Sequence, residues 1–129
     1  MTKDNQPGEI WPSEIRLAKD KRGLVVAFGE KGAFEIDAEL LRVQSPSAEV
    51  RGHTEAERKT VGGKRNVLIT AIEPVGNYAV RLRFNDGHDT GLYSWAYLYD
   101  LGAHRQERFA AYVEELTAKG LDRDLPGQK

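Results

Sequence analysis

The chain has no cysteine among its 129 residues. Disulfides, thiolate metal ligands and a cysteine nucleophile are therefore excluded. It also lacks an excess of charge of either sign, with 19 Lys and Arg against 20 Asp and Glu. Sequence-independent nucleic-acid binding rests on a basic excess that neutralises phosphates, so no nucleic-acid partner is expected. No apolar run approaches the roughly 18 residues of a membrane span, and no membrane association is expected. The opening MTKDNQPGEIW has no continuous apolar stretch of the secretory kind. A cytoplasmic location is the expectation. Catalytic templates are missing too: there is no G-x-S-x-G, P-loop, H-E-x-x-H or dinucleotide-binding glycine pattern.

A hydrophobic fraction of 40% and a charged fraction of 30% are enough for one globular core. Residues 1–10 are polar and are expected to form a disordered lead. Residues 11–120 are read as a single domain and 121–129 as a polar tail. Trp11 is expected to pack on the edge of the first sheet. Ile15 and Leu17 alternate with Arg16 as in a strand, and the turn at 20–23 offers Gly23 for a positive φ. Leu24, Val26 and Phe28 share one face of a second strand. After the turn at 29–32, Phe34 and Ile36 point inward from a third. Asp37 is placed to cap a short helical turn, AELLRV.

Residues 45–63 carry few large apolar side chains and read as a long loop, a feature that is either functional or a solvated insertion. Residues 67–72 read as a strand and 74–77 as a turn. Tyr78, Val80, Leu82 and Phe84 alternate with Ala79, Arg81 and Arg83, the pattern of a half-buried strand. Asn85-Asp86-Gly87 reads as a tight hairpin loop. Residues 89–93 return as a strand with Thr90 and Leu92 on one face. Ser94 is positioned to cap a helical segment, WAYLYDL, which Gly102 separates from a longer helix at 104–119. On that last helix Phe109, Tyr112, Val113 and Leu116 fall at i, i+3, i+4 and i+7, one core-facing stripe, and Gly120 ends it.

Two stretches resemble one another, LVVAF-GEKGAFEIDAELL and VRLRF-NDGHDTGLYSWAYL. They align Phe28 with Phe84, Ile36 with Tyr93, Asp37 with Ser94 and Leu41 with Leu98. Each reads as strand, glycine turn, strand and capped helical turn. The fold class expected is α+β: two small antiparallel β units, related as a pseudo-repeat, with short helical turns and one covering C-terminal helix.

Three histidines are present, at 53, 88 and 104. His104 starts a helix and is expected to be exposed. His53 and His88, with carboxylates at Glu49, Asp86 and Asp89, are weak candidates for a transition metal, since their spacing matches no known ligand pattern. Glu49 and His53 make at most an ordinary acid–base pair, and no nucleophile, base and orienting group can be assembled. The aromatics near Arg81 and Arg83 could stack nucleic-acid bases. They could equally pack in the core while the arginines pair with carboxylates. An exposed Trp95 with a tyrosine and Arg42 or Arg51 could form a protein-binding face, since Trp, Tyr and Arg are enriched at binding hot spots.

At LRVQSPSAEVRGH and GHDTGLYSWAYLYDLG the chain resembles the gamma-butyrobetaine hydroxylase-like N-terminal domain family, from about residue 14 to 102. In the eukaryotic hydroxylases that domain precedes an oxygenase barrel and holds a structural zinc through three cysteines and a histidine. The resemblance puts those positions at Ser45, Ser47, Val50 and His88. Only the histidine is kept, so no cofactor is expected and the family zinc is expected to be lost. These 129 residues leave no room for an oxygenase barrel, so hydroxylase activity is not expected to be inherited. Stand-alone bacterial members are small, and a similar domain is attached to P-loop scaffold proteins of iron–sulfur cluster assembly. The resemblance thus implies a non-enzymatic accessory or protein-interaction role, linked to oxygenase or iron–sulfur proteins, in a monomer or weak homo-oligomer with a protein partner. The alternative is a metal- or small-molecule-binding protein that uses a cleft at His53 and His88. If the backbone is kept, residues 45–53 lie beside His88. The binding candidates are then Arg42, Ser45, Ser47, Glu49, Arg51, His53, His88, Tyr93 and Trp95, with a His88 hydrogen bond pinning the loop.

Overall fold

The computed structural model describes residues 11–47 and 60–124. The expectations for the N-terminal lead, for Glu49, Val50, Arg51 and His53, and for the end of the polar tail lie outside those residues.

Two three-stranded antiparallel sheets are present among the described residues. The first comprises β1 (Glu14–Leu17), β2 (Gly23–Ala27) and β3 (Ala33–Asp37), and α1 (Ala38–Val43) follows directly. The second comprises β4 (Ile69–Val75), β5 (Ala79–Phe84) and β6 (Leu92–Ser94), and α2 (Trp95–Ala103) follows. A last helix, α3 (Arg105–Ala118), completes the α+β fold. The pseudo-repeat is real at the level of packing. Leu24 pairs with Ile36 in the first sheet and Val80 with Tyr93 in the second. The matched residues Phe28 and Phe84, Ile36 and Tyr93, and Leu41 and Leu98 are all buried in one core. Neither sheet can cover its own apolar face, and each supplies half of a shared interior.

Several boundaries differ from the sequence pattern, each for a local reason. In the first turn Lys21, not Gly23, takes the positive φ, at 63°. At Gly23 a Cβ would lie 2.9 Å from Glu35 Oε2 across the sheet, so a side chain there would push the Glu35 carboxylate aside. Asp37 occupies the N-cap position of α1 but its side chain makes no capping bond, whereas Ser94 accepts the Tyr97 amide at 3.2 Å. Pro74 lies within β4 rather than in a turn, on an edge strand that tolerates its missing N–H. The loop at 85–87 is tight as expected, closed by the Gly87 amide on the Phe84 carbonyl at 3.1 Å with Gly87 at φ 93°, but the strand beyond it starts late. Residues 88–91 are irregular, and Tyr93 rather than Thr90 and Leu92 faces inward.

Gly102 lies inside α2, against the Phe34 ring, and the break between helices falls at His104. Val113 is exposed, so the buried stripe of α3 narrows to Tyr112 and Leu116 with Phe109 at its border. Trp11 is 46% exposed and does not seal the sheet edge. Residues 121–124 are docked: Leu121 packs on the core, and the Gly63 and Arg65 amides donate to the Asp122 and Arg123 carbonyls. Arg123 also makes a two-pronged ion pair with buried Glu39 at 2.8 and 2.7 Å. Of the long loop, Thr60 and Val61 are buried, and Val61 accepts the Tyr112 hydroxyl at 2.6 Å.

Candidate functional site

Helix α1 is only six residues long, and every one of them is buried, including Glu39 and Arg42. So short a helix leaves carbonyls at its C-terminal end without intrahelical donors. The second unit supplies them. Tyr93 Oη donates to the Leu41 carbonyl and Tyr97 Oη to the Gln44 carbonyl, both at 2.5 Å. Tyr99 packs edge-on against Phe28 and Phe34, with ring centroids at 5.2 and 5.7 Å. The half-buried Trp95 donates Nε1–H to the Asn77 carbonyl at 2.8 Å. The aromatic run is therefore turned inward. Tyr93 is fully buried and lines no cleft, and Trp95 is not the exposed anchor that a binding face there would require.

Beyond α1 the chain runs alongside the β5–β6 connection and is joined to it by three rungs. Arg42 Nε donates to Asp86 Oδ2 at 2.8 Å. Ser45 Oγ and His88 Nε2 are 2.9 Å apart, and Ser47 Oγ and Thr90 Oγ1 are 2.7 Å apart. The rungs join residues 44, 43 and 43 apart in sequence, a near-constant offset that describes two segments in register. Ser45 Oγ also accepts the Ser47 amide at 3.2 Å. Gly91 makes the approach possible, since a Cβ there would lie 2.4 Å from Ser45 Oγ. Arg42, Ser45, Ser47 and His88 are all buried. The expected His88 bond to the loop is present. Of the nine candidates, Arg42, Ser45, Ser47 and His88 come together.

The site's charge is set by a residue that the sequence did not single out. Lys64 Nζ lies 2.6 Å from Asp86 Oδ2, the oxygen that Arg42 also uses. Asp86 Oδ1 accepts the His88 amide at 3.0 Å. Burial alone would raise the Asp86 pKa, but the hydrogen bonds from Lys64, the His88 amide and Arg42 outweigh it and hold the carboxyl at about 2. Two buried cations thus share one carboxylate, and Arg42 Nη1 is buried without a hydrogen-bond partner among the described residues. Asp86 stood in the sequence as one carboxylate near a histidine. Lys64, in an otherwise featureless GGKRN, carried no signal, and Thr90 was assigned to a strand face.

The zinc that the resemblance implies does not suit these residues. Structural zinc is held by thiolates, imidazoles and carboxylates. Here two of the corresponding positions carry neutral hydroxyls, position 50 is valine, and His88 Nε2 faces Ser45. Among the described residues no three His, Asp or Glu side chains converge to hold a metal ion. The excess positive charge of Arg42 and Lys64 further disfavours a dication.

Away from this cluster, the second sheet has a face that no described helix covers. Glu73, Arg81 and Leu92 lie in one row across β4, β5 and β6. Arg81 and Arg83 share Glu73, at 2.6 and 2.8 Å, and hold its carboxyl below the usual range, the Arg81 bond being the main cause. Leu92 is 43% exposed beside them, and Tyr78, at the β4–β5 turn, is 56% exposed. A hollow of ≈370 Å³ lies elsewhere, between β3 and α3, with Glu35, Asp37, Leu40, Arg105 and Phe109 in its wall. No described helix is long and apolar enough to cross a membrane.

Residues 15–99 match the family described as gamma-butyrobetaine hydroxylase-like, N-terminal. Two structures solved by NMR in solution are similar throughout. One is 42% identical with a TM-score of 0.79, over 93% of this chain and 94% of that one. The other is 41% identical with a TM-score of 0.77, over 99% and 98%. A crystal structure of a protein of unknown function from Acidithiobacillus ferrooxidans, described as a member of the DUF971 family, is 37% identical with a TM-score of 0.59. It covers 71% of this chain and 92% of that one. No curated protein matches the chain.

Proposed function

Because this chain belongs to the gamma-butyrobetaine hydroxylase-like N-terminal domain family, we propose that it is a non-enzymatic accessory domain that acts by binding another protein. The observation that carries this reading is the uncovered outer face of the second sheet. An antiparallel sheet can leave one side to solvent, and such a side usually carries only polar residues. Here a large apolar side chain, Leu92, stands beside two arginines that have one carboxylate between them. Arginine with an exposed apolar neighbour is a composition enriched at interfaces, and the net positive charge fits an acidic partner surface. The buried polar residues support the same reading from the other side. Arg42 bonds Asp86, Ser45 bonds His88 and Ser47 bonds Thr90, contacts that hold the two β units together and leave these side chains poorly placed for substrate chemistry. Oxygenases and iron–sulfur assembly proteins are the partner classes that the family resemblance suggests.

The test is affinity capture with cross-linking from a lysate of the source cell, comparing the native chain with an Arg81→Glu, Leu92→Asp variant of unchanged melting temperature. The native chain is expected to retain a partner with an acidic surface that the variant loses. Identical partner sets would overturn the proposal. The cleft reading that used His53 and His88 gains no such support, since His53 lies outside the described residues and His88 faces inward.

A further inference from the structure

We propose that the Ser45–His88 and Ser47–Thr90 rungs form a metal-free cross-link, which joins the two β units at the place where the family resemblance implies zinc. Two hydrogen bonds at the same 43-residue offset, 2.9 and 2.7 Å long, connect the exit of α1 to the β5–β6 connection. The Ser45–His88 bond is shielded from water, Ser45 being 0% and His88 6% exposed, whereas the Ser47–Thr90 bond is half-shielded, with Ser47 buried and Thr90 exposed. The buried Ser45–His88 bond resists breaking, because separating the partners would leave polar groups unsatisfied, and the Ser47 hydroxyl adds the same resistance on its own side of the second bond. The Arg42–Asp86–Lys64 cluster extends the same seam and fixes the His88 backbone through its amide. Gly91 belongs to the device, since any side chain there would displace Ser45. A tetrahedral metal joins two segments through charged ligands. This seam joins them through neutral hydroxyls and an imidazole, next to two cations that repel a dication. The inference concerns how the domain is held together and is independent of what the outer sheet face binds.

The experiment uses the full chain without a metal-binding tag. Bound zinc is measured by elemental analysis after incubation with zinc chloride and dialysis. Thermal melts are then recorded with and without EDTA for the native chain, Ser45→Ala and Thr90→Val. The expected result is far less than one zinc per chain and a melting temperature unmoved by EDTA. Ser45→Ala is expected to lower the melting temperature by about 3–8 °C, the size that losing one buried hydrogen bond produces in a domain of this length, and Thr90→Val by about 2–4 °C, since its bond is only half-buried. One retained zinc per chain, a melting temperature lowered by EDTA, or variants that melt with the native chain would each overturn the proposal. The isosteric Thr90→Val variant keeps the test decisive if Ser45→Ala fails to fold.

Discussion

Replacing Asp86 by asparagine should expose the energetics of the seam. The substitution keeps the side-chain shape and an oxygen for the His88 amide, but removes the carboxylate that both Arg42 and Lys64 contact. Both cations are buried, at 6% and 7% exposure. The fall of the Asp86 pKa from 3.8 to about 2 corresponds to about 2.5 kcal/mol of stability. Removing one partner of a buried ion pair typically costs about 3–5 kcal/mol. The Asp86 side chain keeps 18% of its exposure, so the expected loss at pH 7 is nearer the lower figure, about 2.5–3 kcal/mol. That is a large part of the roughly 5–15 kcal/mol that holds an ordinary domain together. The assay is urea unfolding of the native and Asp86→Asn chains at a series of pH values from 2 to 7. Because the folded pKa is the lower one, the Asp86 contribution is complete above about pH 4 and is lost as pH falls toward 2. The two stability curves should therefore converge near pH 2. A gap below about 1 kcal/mol at pH 7, or one that does not change with pH, would refute the role assigned to the carboxylate.

Gly102→Ala offers a case where two effects oppose each other. Alanine is favoured over glycine within a helix by about 1 kcal/mol, but its Cβ would lie 2.5 Å from Phe34 Cδ2. Overpacking of this kind costs about 1–3 kcal/mol, so a lower melting temperature is expected, and a higher one would show that the Phe34 contact yields easily. Tyr93→Phe removes the donor to the Leu41 carbonyl and should cost about 1–3 kcal/mol in denaturant unfolding. A neutral result would mean that this end of α1 finds another donor.

The strands and helices that were easiest to read share one property: their pattern and their ends are local. β5 alternates cleanly because one side of it faces the core, and Ser94 caps α2 through a bond three residues away. The pseudo-repeat was visible because matched residues fill matched positions in a shared interior. The misplaced features depend on distant neighbours instead. Gly102 looks like a helix break from its own propensity, but it is a contact point for Phe34. Tyr93 stood as a cleft candidate and Trp95 as an exposed anchor, yet their polar atoms satisfy carbonyls in other elements. Lys64 has no neighbour in sequence that marks it, and only the fold brings it to Asp86.

By itself, then, the sequence determined what the chain could not use and where its local elements begin. The lack of cysteine excluded thiolate chemistry and disulfides outright, and the paired β patterns set the fold class. Tertiary structure alone decided which polar groups meet. The rungs at Arg42, Ser45 and Ser47 join partners more than 40 residues away. No periodicity reports such contacts, because period reflects which side of an element is apolar and says nothing of which polar atoms share a buried space. The family resemblance brought residues 45–47 to His88. Only the coordinates show that hydrogen bonds and a shared carboxylate occupy that seam.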